Sequence, residues 1–295
     1  MRRLLALLLL CWLGIARAEV VVGDDAGESV RLPQAARRII SLSPHITELL
    51  FAAGAGERVI AAVEYSDFPV AAKNLPRVGS YSALDLERIA RLRPDLAIAW
   101  GSGNPPAQVA QLARLGIPVF VSEPKRLEDI PATLRRLGRL AGTAAAAEAA
   151  AGSFERRLGD LRTRHSGARP VSVFYEIWNQ PLMTVGGDHV ISAAISLCGG
   201  RNVFAALTQP AEAVALEAVL RADPEAIIAS GMGEQRPDWL DHWRRWPRLQ
   251  AVKRDNLYFV PPDLLQRHTP RLLDGAERLC AALEVARGRA VQPGK

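Results

Sequence analysis

Apolar runs of strand length alternate with amphipathic stretches along most of this chain. The runs at 38–42, 59–63, Leu96–Trp100, 119–121, 171–177, Ala226–Ala229 and 257–260 are short and rich in Val, Ile, Leu and Ala. Segments of helical spacing separate them, so the pattern predicts βαβ units built on mostly parallel sheets. Ahead of these, residues 19–38 read as a hairpin: Val20 to Val22, a polar turn over 23–27, then Ser29 to Leu32. The rhythm breaks at 125–166. Leu134, Leu137, Leu140 and Ala141 fall at helical spacing, and the run from Ala144 to Ala151 has high helix propensity. This stretch predicts a helical turn, a break near Gly142 and one long helix to about Arg164. The Phe154, Leu158 and Leu161 stripe marks that helix as packed instead of a disordered linker.

One segment occurs in both halves. Leu86-Glu87 is followed, seven residues after the glutamate, by Pro94, then by an apolar strand and Gly101-Ser102-Gly103. Leu216-Glu217 is followed at the same spacing by Pro224, a second strand and Gly231-Met232-Gly233. A second pair of helices, each closed by glycine at Gly54 and Gly199, supports the duplication. The expected architecture is α/β, with an N-terminal lobe over 19–124, a helical linker over 125–166 and a C-terminal lobe over 167–295. The long backbone helix joins the lobes, a ligand cleft lies between them, and a helical joint implies a cleft that closes only slightly.

The N-terminus changes the compartment. Arg2 and Arg3 precede an apolar run of about a dozen residues, and Ala16-Arg17-Ala18 follows. A run of that length is below the ~20 residues a membrane span needs, so residues 1–18 read as a signal peptide cleaved after Ala18. The alternative is a lipid anchor at Cys11, although Leu10 precedes it where a small residue belongs. Cleavage removes three arginines, so the formal charge of +6 falls to about +3. The basic residues are dispersed among acidic ones, which argues against nucleic acid as a partner. Cys198 and Cys280 then remain, and an even count in an oxidising compartment favours a disulfide over two buried thiols.

No convincing catalytic set emerges. His45, His165, His189, His242 and His268 show no metal-ligand spacing, and the serine-nucleophile and phosphate-loop patterns are missing. His45 follows Ser43-Pro44 at a strand end, where a loop histidine with ordinary hydrogen bonds competes with a ligand role. Aromatics are better placed: Tyr65 and Phe68, Tyr81, Trp100 and Trp178 all follow or close strands. Ligands of open α/β sheets bind beyond the carboxyl ends of the strands. Large rings there would line a broad apolar pocket, and Asp263 and Arg267 would add polar contacts. Glu87 and Glu217 gain from the helix dipole without further role. Their duplication in two lobes points instead to a pair of rim carboxylates that meet arginines of a two-fold symmetric partner.

The runs Ser41-Leu-Ser-Pro44, Thr47-Glu-Leu, Tyr65-Ser-Asp-Phe-Pro69, Leu86-Glu-Arg-Ile89, Pro94-Asp-Leu-Ala-Ile-Ala-Trp100, Cys198-Gly-Gly200 and Pro270-Arg-Leu resemble the periplasmic cobalamin-binding proteins of ABC importers. These belong to a helical-backbone (class III) group of substrate-binding proteins that also includes siderophore and haem carriers. The resemblance covers about 36–284. It implies a periplasmic, monomeric, non-enzymatic protein that holds a corrinoid as cargo, with no cofactor and no metal of its own. Tyr65, Tyr81 and Trp100 would line the pocket, with Asp263 and Arg267 on the other lobe. Glu87 and Glu217 would dock on the permease dimer at the inner membrane, and Cys198 and Cys280 would be bridged. The chain departs from the pattern at Tyr81, where relatives carry Trp, and at Ala211, where they place a pocket Trp. Leu264 and Leu265 also replace aromatics, and Trp178 sits one place off, where it would compensate. A haem or siderophore carrier, with Tyr65 or Tyr81 on the iron, is the alternative within the class. A periplasmic enzyme or metal-binding protein using His45 and His268, or a scaffold without a small ligand, are the alternatives outside it.

Overall fold

Two four-stranded parallel sheets organise the chain, and they share one strand order. The first runs Val59–Ala62, Ile39–Ser41, Leu96–Trp100, Val119–Ser122; the second runs Gly200–Asn202, Val171–Glu176, Ala226–Ala229, Leu257–Phe259. In each, the first strand in sequence is internal, the second lies outside it, and the third and fourth extend the other side. The structure, a computed structural model, describes residues 19–231, 233 and 235–291. The expected signal peptide and its cleavage after Ala18 lie outside these residues.

The internal strands are buried on both faces, as parallel sheets covered by crossover helices require. Leu96, Ala97, Ile98 and Ala99 are fully buried, as are Ala226, Ile227, Ile228 and Ala229. The expected hairpin forms from Val20–Gly23 and Ser29–Leu32. Between the lobes, Asp129–Ala141 and Ala144–Arg164 make a helical hairpin turned by Gly142, whose φ of +64° only glycine adopts readily. The first of these is a full 13-residue helix where the sequence predicted a turn. Pro131 lies in its first turn, where the missing N–H has no partner to lose. Helix Leu272–Val291 closes the second lobe.

One apolar core runs unbroken through both lobes. It joins Ile39, Leu49 and Ile98 of the first lobe to Leu134, Leu137, Phe154 and Leu158 of the hairpin, and on to Val173, Ile228 and Leu279 of the second. Separate smaller clusters fill the outer faces of the two sheets. The lobes therefore share their interior through the helical joint. The Cys198–Cys280 disulfide is present and ties the end of helix Val190–Leu197 to the closing helix.

Candidate functional site

The carboxyl ends of both sheets face one another at the junction of the lobes, and the chain places its aromatic, ionic and imidazole side chains there. In the N-terminal lobe, strand Leu96–Trp100 delivers Trp100 to the edge. The next residues explain how the indole is held. A Cβ at Gly103 would overlap the six-membered ring of Trp100, so the glycine-rich turn exists to let that ring lie against the backbone. Asn104, buried, accepts the backbone N–H of Trp100 at 2.6 Å and donates to the carbonyls of Leu42 and Tyr81 at 2.9 and 2.8 Å. One side chain thus fixes two strand ends and the Tyr81 loop. Tyr81 lies 5.7 Å from Trp100, ring to ring, and is 40% exposed. Tyr65 is 71% exposed and has a φ of +62°. A bulky residue in the left-handed region costs about 1–3 kcal/mol, and such strain gathers at ligand clamps.

An ionic cluster crosses the junction beside these residues. Glu48, on helix Pro44–Ala52 and almost fully buried, accepts from Arg267 at 2.8 Å and from Arg271 at 2.7 and 2.9 Å. Arg267 also pairs with Asp67 at 2.8 Å and with Asp263 at 3.1 Å. The Arg271 guanidinium lies 3.7 Å above the Phe68 ring. Arg267 and Asp263, expected to meet a ligand, are brought together, and Arg267 spans to the first lobe. Burial pushes the Asp263 carboxyl up, against the pull of Arg267.

Between rings and ions runs a line of imidazoles. Trp100 meets His45 at 5.2 Å, His45 meets His268 at 5.7 Å, and His268 meets His189 at 6.0 Å. Burial disfavours the imidazolium form in all three. His45 is held well below its ordinary value, with His268 and Arg267 adding to the effect. His268 is pushed down to about 4 by burial and then by His189; His189 is pushed down to about 4 by burial. Among the described residues, no group of three or more His, Cys, Asp or Glu is placed to hold a metal ion.

The sequence pattern of the periplasmic binding protein family matches residues 39–264. The chain belongs to that family. It is 38% identical over 255 residues to the vitamin B12-binding protein of Vibrio cholerae serotype O1, covering 86% of this chain and 91% of that one. The crystal structure of the periplasmic vitamin B12-binding protein BtuF of Vibrio cholerae superposes with a TM-score of 0.79 at 38% identity, covering 85% and 98% of the two chains. The apo periplasmic haem-binding protein RhuT of Roseiflexus sp. RS-1 shares the fold, with a TM-score of 0.75 at 24% identity over 85% of this chain and 100% of that one.

Within this family member, Trp178 lies two residues beyond the end of the parallel strand, in an antiparallel pair. The sequence predicted a strand continuing to residue 177, but the parallel strand ends at Glu176. The Ile177 N–H then turns to the Met183 carbonyl, and Trp178–Asn179 pairs antiparallel with Leu182–Val185. The Trp178 indole N–H is spent on the Gln180 carbonyl at 2.8 Å. Glu87 and Glu217 both lie exposed in the first turns of Leu86–Arg91 and Leu216–Ala222. Those helices precede strands of parallel sheets and run against them, which puts both glutamates at the cleft edge of their lobes. Glu87 makes one exposed contact, with Arg91 at 3.4 Å. Sequence reasoning passed over Asn104, Glu48 and Arg271. The signal for Asn104 was its place directly after Gly103, in a turn that carries a tryptophan.

Proposed function

We propose that this chain is the periplasmic capture component of a corrinoid importer. It takes cobalamin or a related corrinoid into the cleft between Tyr65, Tyr81 and Trp100 on one side and Asp263 and Arg267 on the other. It then carries that cargo, as a monomer after signal cleavage at Ala18, to the permease dimer of an ABC transporter in the inner membrane. The reading rests chiefly on one observation: near full-length identity of 38% to a protein named for vitamin B12 binding. The site chemistry agrees with it. A corrinoid presents a wide apolar ring rimmed by amides, which suits stacked aromatics flanked by a few fixed charges. Titration of the mature protein with cyanocobalamin, followed by tryptophan quenching, is expected to show stoichiometric binding. No quenching at micromolar ligand overturns the cargo.

Glu87 and Glu217 supply the docking charges in this reading. The double variant Glu87→Arg, Glu217→Arg is expected to keep its affinity for cyanocobalamin and to lose stimulation of the transporter's ATPase. Unchanged stimulation removes the docking role. Haem is the second reading, favoured by the exposed Tyr65 phenol held outward by its left-handed backbone. It predicts a tyrosinate-to-iron charge-transfer band with haemin that Tyr65→Phe abolishes.

A further inference from the structure

The junction concentrates polar atoms that no protein group satisfies. His45 Nε2, Trp100 Nε1 and Thr269 Oγ1 are buried without a protein partner. Among the described residues, neither ring nitrogen of His268 takes part in a hydrogen bond, and this side chain stands between the rings of His45 and His189. A buried polar group left unpaired costs roughly 1–3 kcal/mol, so several around one spot call for a partner that arrives from outside.

The donors present define that partner. The described residues offer no three-ligand set for a free ion. A metal that brings four equatorial nitrogens in a macrocycle needs only one axial donor from the protein. The three imidazoles are not equivalent candidates. His189 Nδ1 accepts the Ile191 N–H at 3.1 Å, so in the neutral ring its proton sits on Nε2 and no lone pair faces outward. His45 is held through Nδ1 by the Ser43 hydroxyl at 2.6 Å and lies wedged between Trp100 and His268, 4% exposed. His268 is 9% exposed, and both its nitrogens are uncommitted among the described residues. Its position directly after Arg267 puts it on the segment that closes the cleft from the second lobe.

We propose that His268 is an axial nitrogen ligand for the metal of the bound macrocycle, and that the cleft thereby accepts corrinoids lacking their own lower base. The proposal rests on the corrinoid reading and refines it. On binding of an aquo-corrinoid, the cobalt–water bond breaks and the water leaves. The neutral His268 lone pair forms the cobalt–nitrogen bond, and no electron or proton is transferred.

The test uses aquocobinamide and cyanocobalamin with the mature protein, reading affinity by tryptophan quenching and coordination by the visible cobalt bands. Bound cobinamide is expected to show the band shift of an imidazole replacing water. His268→Gln is expected to abolish that shift and to lower the cobinamide-to-cyanocobalamin affinity ratio at least tenfold. A general structural defect would weaken both ligands together and leave the ratio in place. Quenching by both ligands with no shift in the unaltered protein, or a shift that survives His268→Gln, overturns the axial role and leaves the corrinoid reading intact. Quenching by neither ligand overturns both.

Discussion

The two lobes carry the same four-stranded sheet in the same order, yet they furnish the cleft unequally: the first supplies the rings along with His45 and the carboxylates Glu48 and Asp67, the second the guanidinium groups. The first lobe presents rings: Trp100 laid on Gly103 and clamped by Asn104, with Tyr81 beside it and Tyr65 pushed outward. The second presents charge and imidazole, in Asp263, Arg267, His268 and Arg271, and sends Trp178 into an antiparallel insertion. Repetition of a backbone sets where a cleft lies. The loops after each strand set what it holds.

The lobes also differ in what secures them, and the largest expected effect tests that. The second lobe has a cross-link closing a sequence separation of 82 residues, while the first relies on packing. In the chain-entropy account, Cys198→Ala with Cys280→Ala costs about 4 kcal/mol in urea unfolding. A loss under about 1 kcal/mol would mean that the shared core holds the second lobe as firmly as the first. Next comes the contact between them. Glu48→Gln leaves Arg267 and Arg271 partly buried with their shared carboxylate gone, and breaking a pair of that kind costs about 3 kcal/mol. Equal stability of the variant would show that the shared apolar core, not the ion cluster, joins the lobes.

Much of this was legible in the chain. The strands Leu96–Trp100 and Ala226–Ala229 were readable to the residue because a proline precedes each and glycines follow. The duplicated Glu-to-Pro spacing already implied two equivalent lobes. Glu48 was not legible as a cross-lobe anchor, because its partner Arg267 is 219 residues away and no local periodicity encodes that pairing. Asn104 looks like any loop asparagine until its three bonds are seen together. The helix Asp129–Ala141 was undersized as a turn, although its stripe of Leu134, Leu137, Leu140 and Ala141 was visible and Pro131 is tolerated in a first turn. Trp178 was misplaced because apolar residues continue past Glu176, whereas the hydrogen bonds change partner at Ile177.

The lobes also differ in their response to pH. His189 and His268, held down to about 4, each take up a proton on unfolding between about 4 and 6.5, and His45, also held below its ordinary value, acts in the same direction. Stability from these groups therefore rises with pH across that window, by about 1.4 kcal/mol per unit for each group at most. Glu176 acts the other way. Burial pushes it up to about 8, against the Trp243 N–H bond, so the native state keeps a proton that the unfolded chain releases from about 4.5 upward. Three histidines outweigh one glutamate below 6.5, and above it only the glutamate acts. The stability of the unliganded protein is expected to peak near pH 6.5. Glu176→Gln is expected to flatten the limb between 6.5 and about 8 and to steepen the rise between 4.5 and 6.5. Since His189, His268 and Glu176 all belong to the second lobe, a profile unaffected by His268→Gln and Glu176→Gln would relocate the pH response to the first.

The smallest expected effect is the one that decides whether the stacking rings come from the first lobe alone. Trp100→Ala removes a clamped indole from the sheet edge and is expected to weaken cyanocobalamin at least tenfold, in line with the loss of a well-packed aromatic contact. Trp178→Ala is expected to change the affinity less than twofold. Its indole N–H is already satisfied within its own hairpin, and its strand faces Leu182–Val185 instead of the parallel edge. Equal losses at the two tryptophans would mean that the insertion folds over the ligand. Trp178 would then replace the ring that Ala211, on the neighbouring strand Ala211–Ala213, cannot provide, and the second lobe would share in stacking after all.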